Sequence, residues 1–308
     1  MEYSESSAVC RQTTLSGPVE FRGKSLFHGY DTRVRLLPAE ADTGVVFCRT
    51  DLAGRPEVRA NVWSVCKEPR RTVIMDGEAR VETIEHLMAV LAGMQVDNCR
   101  VEIDSPEVPA CDGSCRTFCD AIGEAGVEEL GAQVQCFVAR SRHSVREDSG
   151  RQQQELRPYL HRCLAVTYHL DYGSRALIPP QQLSTELTPD VFVRDIAAAR
   201  TFVLESEIKG LQKMGFGRHL SAQDLVVMTP EGPIDNQLRW EDEFVRHKIL
   251  DLVGDLALCG MRVQGHISAL RTGHHVNQLM AGEVRSVADR QNPPILEQGR
   301  NSGLREAA

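Results

Sequence analysis

The chain has 308 residues, of which 42% are hydrophobic, so it is long enough to form two domains with their own cores. Its formal net charge of −8 argues against a protein that binds nucleic acid through the phosphate backbone. No apolar run reaches the roughly 18 residues that a membrane span needs, and the first residues lack the pattern of a secretory signal. We therefore expect a cytoplasmic protein without stable membrane insertion.

The first part of the chain predicts a flexible tail over residues 1–9 and an N-terminal α+β domain over residues 10–130. Apolar and charged side chains alternate over residues 33–36, which is typical of a half-buried strand. A helix with an apolar stripe follows, formed by Ile84, Leu87, Met88 and Leu91. A second helix is expected from about Ser114 to Ala125.

The second part predicts a C-terminal α+β domain over residues 134–284, followed by a mobile tail over residues 285–308. Its predicted elements are, in chain order, a hairpin turning at 147–150, a strand at 164–170, an insertion near 203–222, a helix from Asp242 to Gly260 and a strand at 263–270.

The two long helices share a short pattern. The stretch from His86 to Gly93 has the same frame as the stretch from His247 to Gly254, and each precedes a turn and a strand. A pseudo-duplicated pair of domains would explain the match.

Three groups of residues suggest chemistry. His247, Asp251 and Asp255 recur every four residues, which places them on one face of the second long helix. The alternative is a solvated polar face with ion pairs, since Arg246 and Lys248 are adjacent.

Glu85 and His86 open the first long helix, where neighbouring side chains diverge by about 100°. One of them can bind a metal while the other reaches a water, or they can be a capping acid and a partly buried histidine. Gly273, His274 and His275 follow a predicted strand, either as a site at the strand end or as an exposed loop.

Together these groups describe a catalytic zinc site. Two histidines and one carboxylate leave a coordination position open for water, and Fe²⁺ suits the same ligands. The ten cysteines include no C-x-x-C pair, so we expect free thiols.

The sequence resembles the UDP-3-O-acyl-N-acetylglucosamine deacetylases of lipid A biosynthesis from about Arg11 to Leu279. The motifs that carry the resemblance are Val81–Gly93, Asp97-Asn98, Pro106–Pro109, Asp112–Ser114, Ala199–Phe202, Glu243–Asp255 and Gly273–Asn277.

The resemblance implies an α+β fold of two similar domains, each a mixed sheet with two helices, with the helix layers packed face to face in a β-α-α-β sandwich. It also implies residue roles: His86, His247 and Asp251 as zinc ligands, Glu85 as general base, His274 as cationic general acid oriented by Asp255, Thr201 as oxyanion stabiliser, and Lys248 as a substrate contact. Phe202, Leu211 and Phe216 are further predicted substrate contacts.

Two stretches depart from the family pattern. The first hairpin reads Ser25-Leu-Phe-His-Gly29, with Phe27 where the family often has histidine. The stretch Gly210–His219 is also altered. In the family this insert lines a passage for the acyl chain, and the apolar residues expected to do so here are Leu204, Ile208, Leu211, Met214 and Phe216.

The sequence therefore predicts a monomeric zinc-dependent hydrolase that releases acetate from the UDP-linked, acylated N-acetylglucosamine, the committed step of lipid A biosynthesis. One alternative is a zinc amidohydrolase acting on another acetamido sugar. A second is a degenerate, non-catalytic sugar-nucleotide binder, which would need neither Glu85 nor His274. A purely structural role is the third.

Overall fold

The structure is a computed structural model that describes residues 10–174 and 176–291. The first half contains β1 (Arg11–Leu15), β2 (Val19–Lys24), β3 (Asp31–Pro38), β4 (Val45–Arg49), β5 (Glu57–Arg59), β6 (Val65–Cys66), β7 (Val73–Asp76), β8 (Ala79–Glu82), α1 (Glu85–Gly93), β9 (Cys99–Ile103) and α2 (Arg116–Ala125).

The second half contains β10 (Val127–Gln133), β11 (Cys136–Val138), β12 (His143–Arg146), β13 (Gln153–Arg157), β14 (Leu164–Leu170), β15 (Gln181–Leu187), α3 (Pro189–Val191), β16 (Phe202–Leu204), α4 (Glu205–Lys213), β17 (Val226–Thr229), β18 (Gly232–Pro233), α5 (Glu243–Leu256), β19 (Arg262–Leu270) and α6 (His274–Gln291). None of these helices is both long and apolar enough to cross a bilayer.

Each half is built on a mixed sheet with the same strand order. The first sheet runs β2-β3-β9-β4-β5 and the second runs β12-β13-β19-β14-β15, with β11 added beside β19. In both sheets the central strand is antiparallel to one neighbour and parallel to the other. The repeated topology confirms the α+β fold and agrees with the shared helix pattern in the sequence.

The cores of the two sheets also correspond. Leu36, Val101 and Phe47 are cross-strand neighbours in the first sheet, and all three are fully buried. Leu156, Ile267 and Val166 occupy the same strands of the second sheet and are buried as well. Alternation along each strand directs these side chains towards the helices.

The helix layers meet where α1 packs against α5. Every residue of α1 from Glu85 to Leu91 is buried, because the helix lies between its own sheet and α5. At the crossing, a Cβ on Gly254 would lie 2.0 Å from the carbonyl oxygen of Glu85. Only glycine lets the two helices approach this closely.

Two features tie the halves together at their edges. β10 pairs with β1 in an antiparallel ladder. Arg262 of β19 holds Asp97 through both carboxylate oxygens, with N–O distances of 2.9 and 2.6 Å. Such bidentate pairs are geometrically specific.

The structure bears on several sequence predictions. The hairpin at 147–150 and the strand at 164–170 are confirmed. The predicted boundary between residues 130 and 134 falls at the end of β10, a strand with mostly exposed side chains that is held by backbone bonds to β1. The domain limits themselves stay predictions.

The mobile tail was predicted to begin at residue 285, which is wrong for residues 285–291. These residues form the end of α6, where Val287 and Ala288 pack on the core and Arg285 pairs with Asp289. The predicted tails over 1–9 and 292–308 lie outside the described residues.

Candidate active site

Three predicted metal ligands come together at the α1–α5 crossing. One ligand atom from each of His86, His247 and Asp251 lies within 4.8 Å of the others. The Nε2 atoms of His86 and His247 lie 3.7 and 3.4 Å from the same Asp251 oxygen. All three residues are buried, so the alternative of a solvated polar face on α5 is wrong.

His247 is oriented by the backbone. Its Nδ1 lies 3.1 Å from the carbonyl oxygen of Ala199, and a carbonyl only accepts, so Nδ1 carries the proton and Nε2 faces Asp251. Burial lowers the pKa of His247 to about 3, which keeps the ring neutral at ordinary pH. A neutral imidazole with its second nitrogen bonded to a carbonyl is the form in which histidine binds metals.

Asp251 is held as an anion. Burial works against its charge, but the Lys248 ammonium at 2.8 Å and the charge of His274 hold the pKa of this carboxyl well below its usual range. Lys248 also lies 5.6 Å from the centre of the Phe202 ring. Two imidazoles and one carboxylate form a donor set that fits Zn²⁺ or Fe²⁺ with a position left open.

Glu85 lies beside this cluster at the start of α1. Its Oε2 accepts a hydrogen bond of 3.0 Å from the backbone N–H of Thr72. Burial raises the pKa of Glu85, although His274 and His86 oppose the shift. A carboxyl whose pKa is raised towards neutrality is suited to accept and return a proton.

His274 lies on the other side of Glu85, with 3.9 Å between its Nε2 and Oε1 of Glu85. Its Nδ1 donates to Asp255 over 2.9 Å, and Asn277 donates to the same oxygen. Burial would lower the pKa of His274, but the carboxylates of Asp255 and Asp251 outweigh it and raise the pKa to about 10. The ring is therefore a cation at neutral pH.

These groups face a cavity of about 1450 Å³, larger than the usual range of small-molecule pockets. Asp255 lies behind His274, whereas the other predicted catalytic and metal residues line the cavity.

Thr201 is held at the cavity by the backbone, because its N–H donates to the carbonyl of Gly113 over 2.7 Å. Gly113 has φ +80°, and a Cβ there would lie 2.8 Å from the carbonyl of Asp224.

One wall of the cavity is apolar. Phe202, Leu211 and Phe216 all line it, as predicted, together with Leu204 and Ile208. Met214 does not, because its side chain points outwards and is 63% exposed.

The altered hairpin contacts the altered insert. The rings of Phe27 and Phe216 meet edge to face at 5.4 Å, and the N–H of Gly217 donates to the carbonyl of Phe27. The Arg71 guanidinium lies over both rings. The two departures from the family pattern are thus one packed unit at the cavity wall.

Sequence reasoning missed residues that hold the site from behind. Thr72 and Asn277 bond to its carboxylates, and Arg200 forms a buried ion pair with Glu243 beside the Ala199 carbonyl. Asn277 and Arg200 lay within motifs, whereas Thr72 carried no sequence signal, because its partners are distant in the chain. The ten cysteines are free, as expected.

The known proteins to which this chain is similar share one description. The model of one protein family, UDP-3-O-acyl N-acetylglycosamine deacetylase, matches residues 12–286. A UDP-3-O-acyl-N-acetylglucosamine deacetylase of Citrifermentans bemidjiense is 38% identical over 274 residues, covering 89% of this chain and 88% of the relative. Proteins of the same name from Myxococcus xanthus and a Nostoc species are 38% and 35% identical, covering 89% and 91% of this chain and 86% and 100% of the relatives.

Proposed function

The chain belongs to the UDP-3-O-acyl N-acetylglycosamine deacetylase family, and from this we propose that it hydrolyses the acetamide of UDP-3-O-acyl-N-acetylglucosamine with the help of zinc. The reaction releases acetate and a free amine, in lipid A biosynthesis. The observation that carries the proposal is the cluster of His86, His247 and Asp251 with Glu85 and His274 beside it.

The three clustered side chains would hold the metal. His86, His247 and Asp251 would bind zinc, which would there supply Lewis-acid polarisation of the amide carbonyl and ease the deprotonation of a water at neutral pH. Fe²⁺ can serve in the same way, since the donor set suits both ions.

The proton transfers belong to Glu85 and His274. Glu85 accepts a proton from the attacking water as the water oxygen bonds to the carbonyl carbon. The hydroxyl of Thr201 donates to the oxyanion that develops, an interaction typically worth about 3–4 kcal/mol. His274 then gives its Nε2 proton to the glucosamine nitrogen as the C–N bond breaks.

Substrate binding uses the rest of the cavity. We assign the acyl chain to the apolar wall formed by Leu204, Ile208, Leu211 and Phe216, close to Phe202. Lys248 contacts the sugar while its ammonium remains paired with Asp251. The protein acts in the cytoplasm as a monomer in this proposal.

The test is acetate release from UDP-3-O-acyl-N-acetylglucosamine by the purified protein. It is measured with metal bound, after chelation, and after zinc or iron is restored. Activity that disappears on chelation and returns with zinc supports the reaction and the metal together. Folded, zinc-loaded protein that is inactive on several acyl lengths contradicts the proposal, and activity on another acetamido sugar would then identify an amidohydrolase of different specificity.

A further inference from the structure

Thr72 lies at the junction of the two halves, immediately before β7. Its side chain is fully buried, and its hydroxyl lies 2.5 Å from Oδ1 of Asp255 on α5. The side-chain amide of Gln278 on α6 donates to the same hydroxyl oxygen over 3.0 Å. The hydroxyl therefore accepts from Gln278 and directs its own proton at the carboxylate.

The backbone of Thr72 contacts the opposite side of the site. Its N–H donates to Oε2 of Glu85, and its carbonyl accepts from the N–H of Ile84, which precedes α1. One residue thus bonds to the carboxylate proposed as the base and to the carboxylate that orients the proposed acid.

The hydrogen bonds to Asp255 are divided between its two oxygens. His274 and Asn277 both donate to Oδ2. Within residues 10–174 and 176–291, the hydrogen bond to Oδ1 comes from Thr72. A fully buried carboxylate that lacks a donor on one oxygen is costly and free to rotate about its Cβ–Cγ bond.

We propose that Thr72 is a positioning residue, whose hydroxyl fixes the plane of the Asp255 carboxylate and so aims Nε2 of His274 at the reacting amide. This role rests on the deacetylation proposed above. The hydroxyl is the working group, whereas the methyl group only fills space.

The substitution Thr72→Val keeps the shape of the side chain and removes the hydroxyl, while Thr72→Ser keeps the hydroxyl. We expect kcat to fall about 10- to 100-fold in Thr72→Val, the effect of losing a hydrogen bond to a charged group, with KM and metal content close to those of the parent. Thr72→Ser should keep most of the activity. Thr32→Val, at a buried threonine of β3, is the matched control and should have the parent kcat.

Two results would overturn the proposal. One is an equal fall of kcat in Thr72→Val and Thr72→Ser, which would indicate a packing effect. The other is a kcat in Thr72→Val that equals that of the parent protein. If Thr72→Val does not fold, Thr72→Ala replaces it with the same expectation.

A double-mutant cycle separates positioning from a general structural effect. In an Asp255→Asn background the hydroxyl of Thr72 has no carboxylate to hold. The further loss caused by Thr72→Val should then shrink to less than about twofold. If the fold-losses in kcat of the two single variants simply multiply in the double variant, the coupling between Thr72 and Asp255 is rejected.

A measurement without substrate keeps this inference distinct from the proposed reaction. In metal-free protein, the Nδ1 proton of His274 can be followed by NMR as it exchanges with solvent. We expect exchange about tenfold faster in Thr72→Val and unchanged in Thr72→Ser. An unchanged rate in Thr72→Val overturns the positioning role, whereas inactivity of the parent protein with the expected exchange pattern would reject only the proposed reaction.

Discussion

The two halves of the molecule share a sheet topology, and each has a histidine at the equivalent position of its long helix, in the same frame before Gly93 in α1 and before Gly254 in α5. The rings of His86 and His247 meet edge to face, with 5.0 Å between their centres. Four residues further along, α1 has Val90 in its core, whereas α5 has the buried carboxylate of Asp251. A repeated scaffold thus supplies a pair of imidazoles, and a difference one helical turn further along adds the carboxylate that completes the proposed three-ligand site.

The residues proposed to carry protons are also divided between the halves. Glu85 comes from α1, where the corresponding residue of α5 is Arg246. His274 comes from α6 and Asp255 from the end of α5. Each half also carries an insertion, which lies between β5 and α1 in the first half and between β15 and α5 in the second. The first insertion, with β6 to β8, brings Thr72, and the second, with α3 to β18, brings the apolar wall.

We expect the largest effect from replacing Asp251, the α5 carboxylate that occupies the position of Val90 in α1. Asp251→Asn should abolish measurable deacetylation, because it removes the anionic ligand between the two imidazoles. Metal content by elemental analysis should fall in parallel. Asp242→Asn, at the start of the same helix, is the control and should keep both. Full metal content and activity in Asp251→Asn would remove Asp251 from the ligand set.

Replacing Glu85 tests whether the first half supplies the group that accepts the proton. We expect Glu85→Gln to lower kcat by roughly 100- to 10,000-fold while metal content is retained, since the amide cannot accept the proton. Steady-state kinetics and metal analysis measure the two quantities separately. Glu78→Gln, in the exposed turn between β7 and β8, should behave like the parent. A decrease below tenfold would contradict the assignment.

The second insertion can be tested through acyl length. Replacing Ile208 and Leu211 together by Gln should lower kcat/KM for long-chain substrates by roughly tenfold or more, because apolar contact with the chain is lost. Short-chain substrates should be affected much less. Met214→Gln is the exposed control. An equal decrease for all chain lengths would reject the apolar wall as the acyl site.

Replacing the equivalent glycines of α1 and α5 by alanine should lower the free energy of unfolding by different amounts. In Gly254→Ala the new Cβ would meet the backbone of α1, so we expect a loss of about 1–3 kcal/mol in the free energy of unfolding. In Gly93→Ala the new Cβ meets the Phe192 ring, a side chain that can shift, so the loss should be smaller. Gly123→Ala, with open space around it, should be neutral or stabilising. Urea denaturation gives all three values, and equal losses at Gly254 and Gly93 would contradict the comparison.

The last expected effect concerns the charge of His274 and is followed through its change with pH. Its pKa is raised to about 10 in the folded protein, above the value of about 6.5 expected for the unfolded chain. Protonation of the ring therefore stabilises the fold fully below about pH 6.5 and ceases to do so as the pH rises through about 10. In metal-free protein the stability difference between the parent and His274→Gln should narrow over this interval. A difference independent of pH would show that the ring is not a folded-state cation.

Helical spacing predicts which candidate site residues share a helix face, whereas their proposed roles came from the family motifs. His247 and Asp251 are one turn apart, and Glu85 and His86 open a helix with a clear apolar stripe. The sequence analysis predicts no helix in the place of α6, although Val276, Met280 and Val284 follow one another at helical spacing. Scattered charge and nearby prolines had suggested a tail instead.

Other features could not be predicted from local sequence patterns. The bond between Thr72 and Asp255 joins residues that are distant in the chain, and the exposed strand β10 is specified by its partner β1. Spacing along a sequence reports which residues share a helix face, but it does not report which faces meet.

The burial of α1 from Glu85 to Leu91 has a consequence for synthesis on the ribosome. Its closest helical partner, α5, emerges roughly 160 residues later in translation. At about 5–20 residues per second, the nascent chain carries an uncovered apolar helix for roughly 10 to 30 seconds. During that interval α1 presents a surface to which holding chaperones can bind, and the cluster of His86, His247 and Asp251 can form only after α5 has been translated.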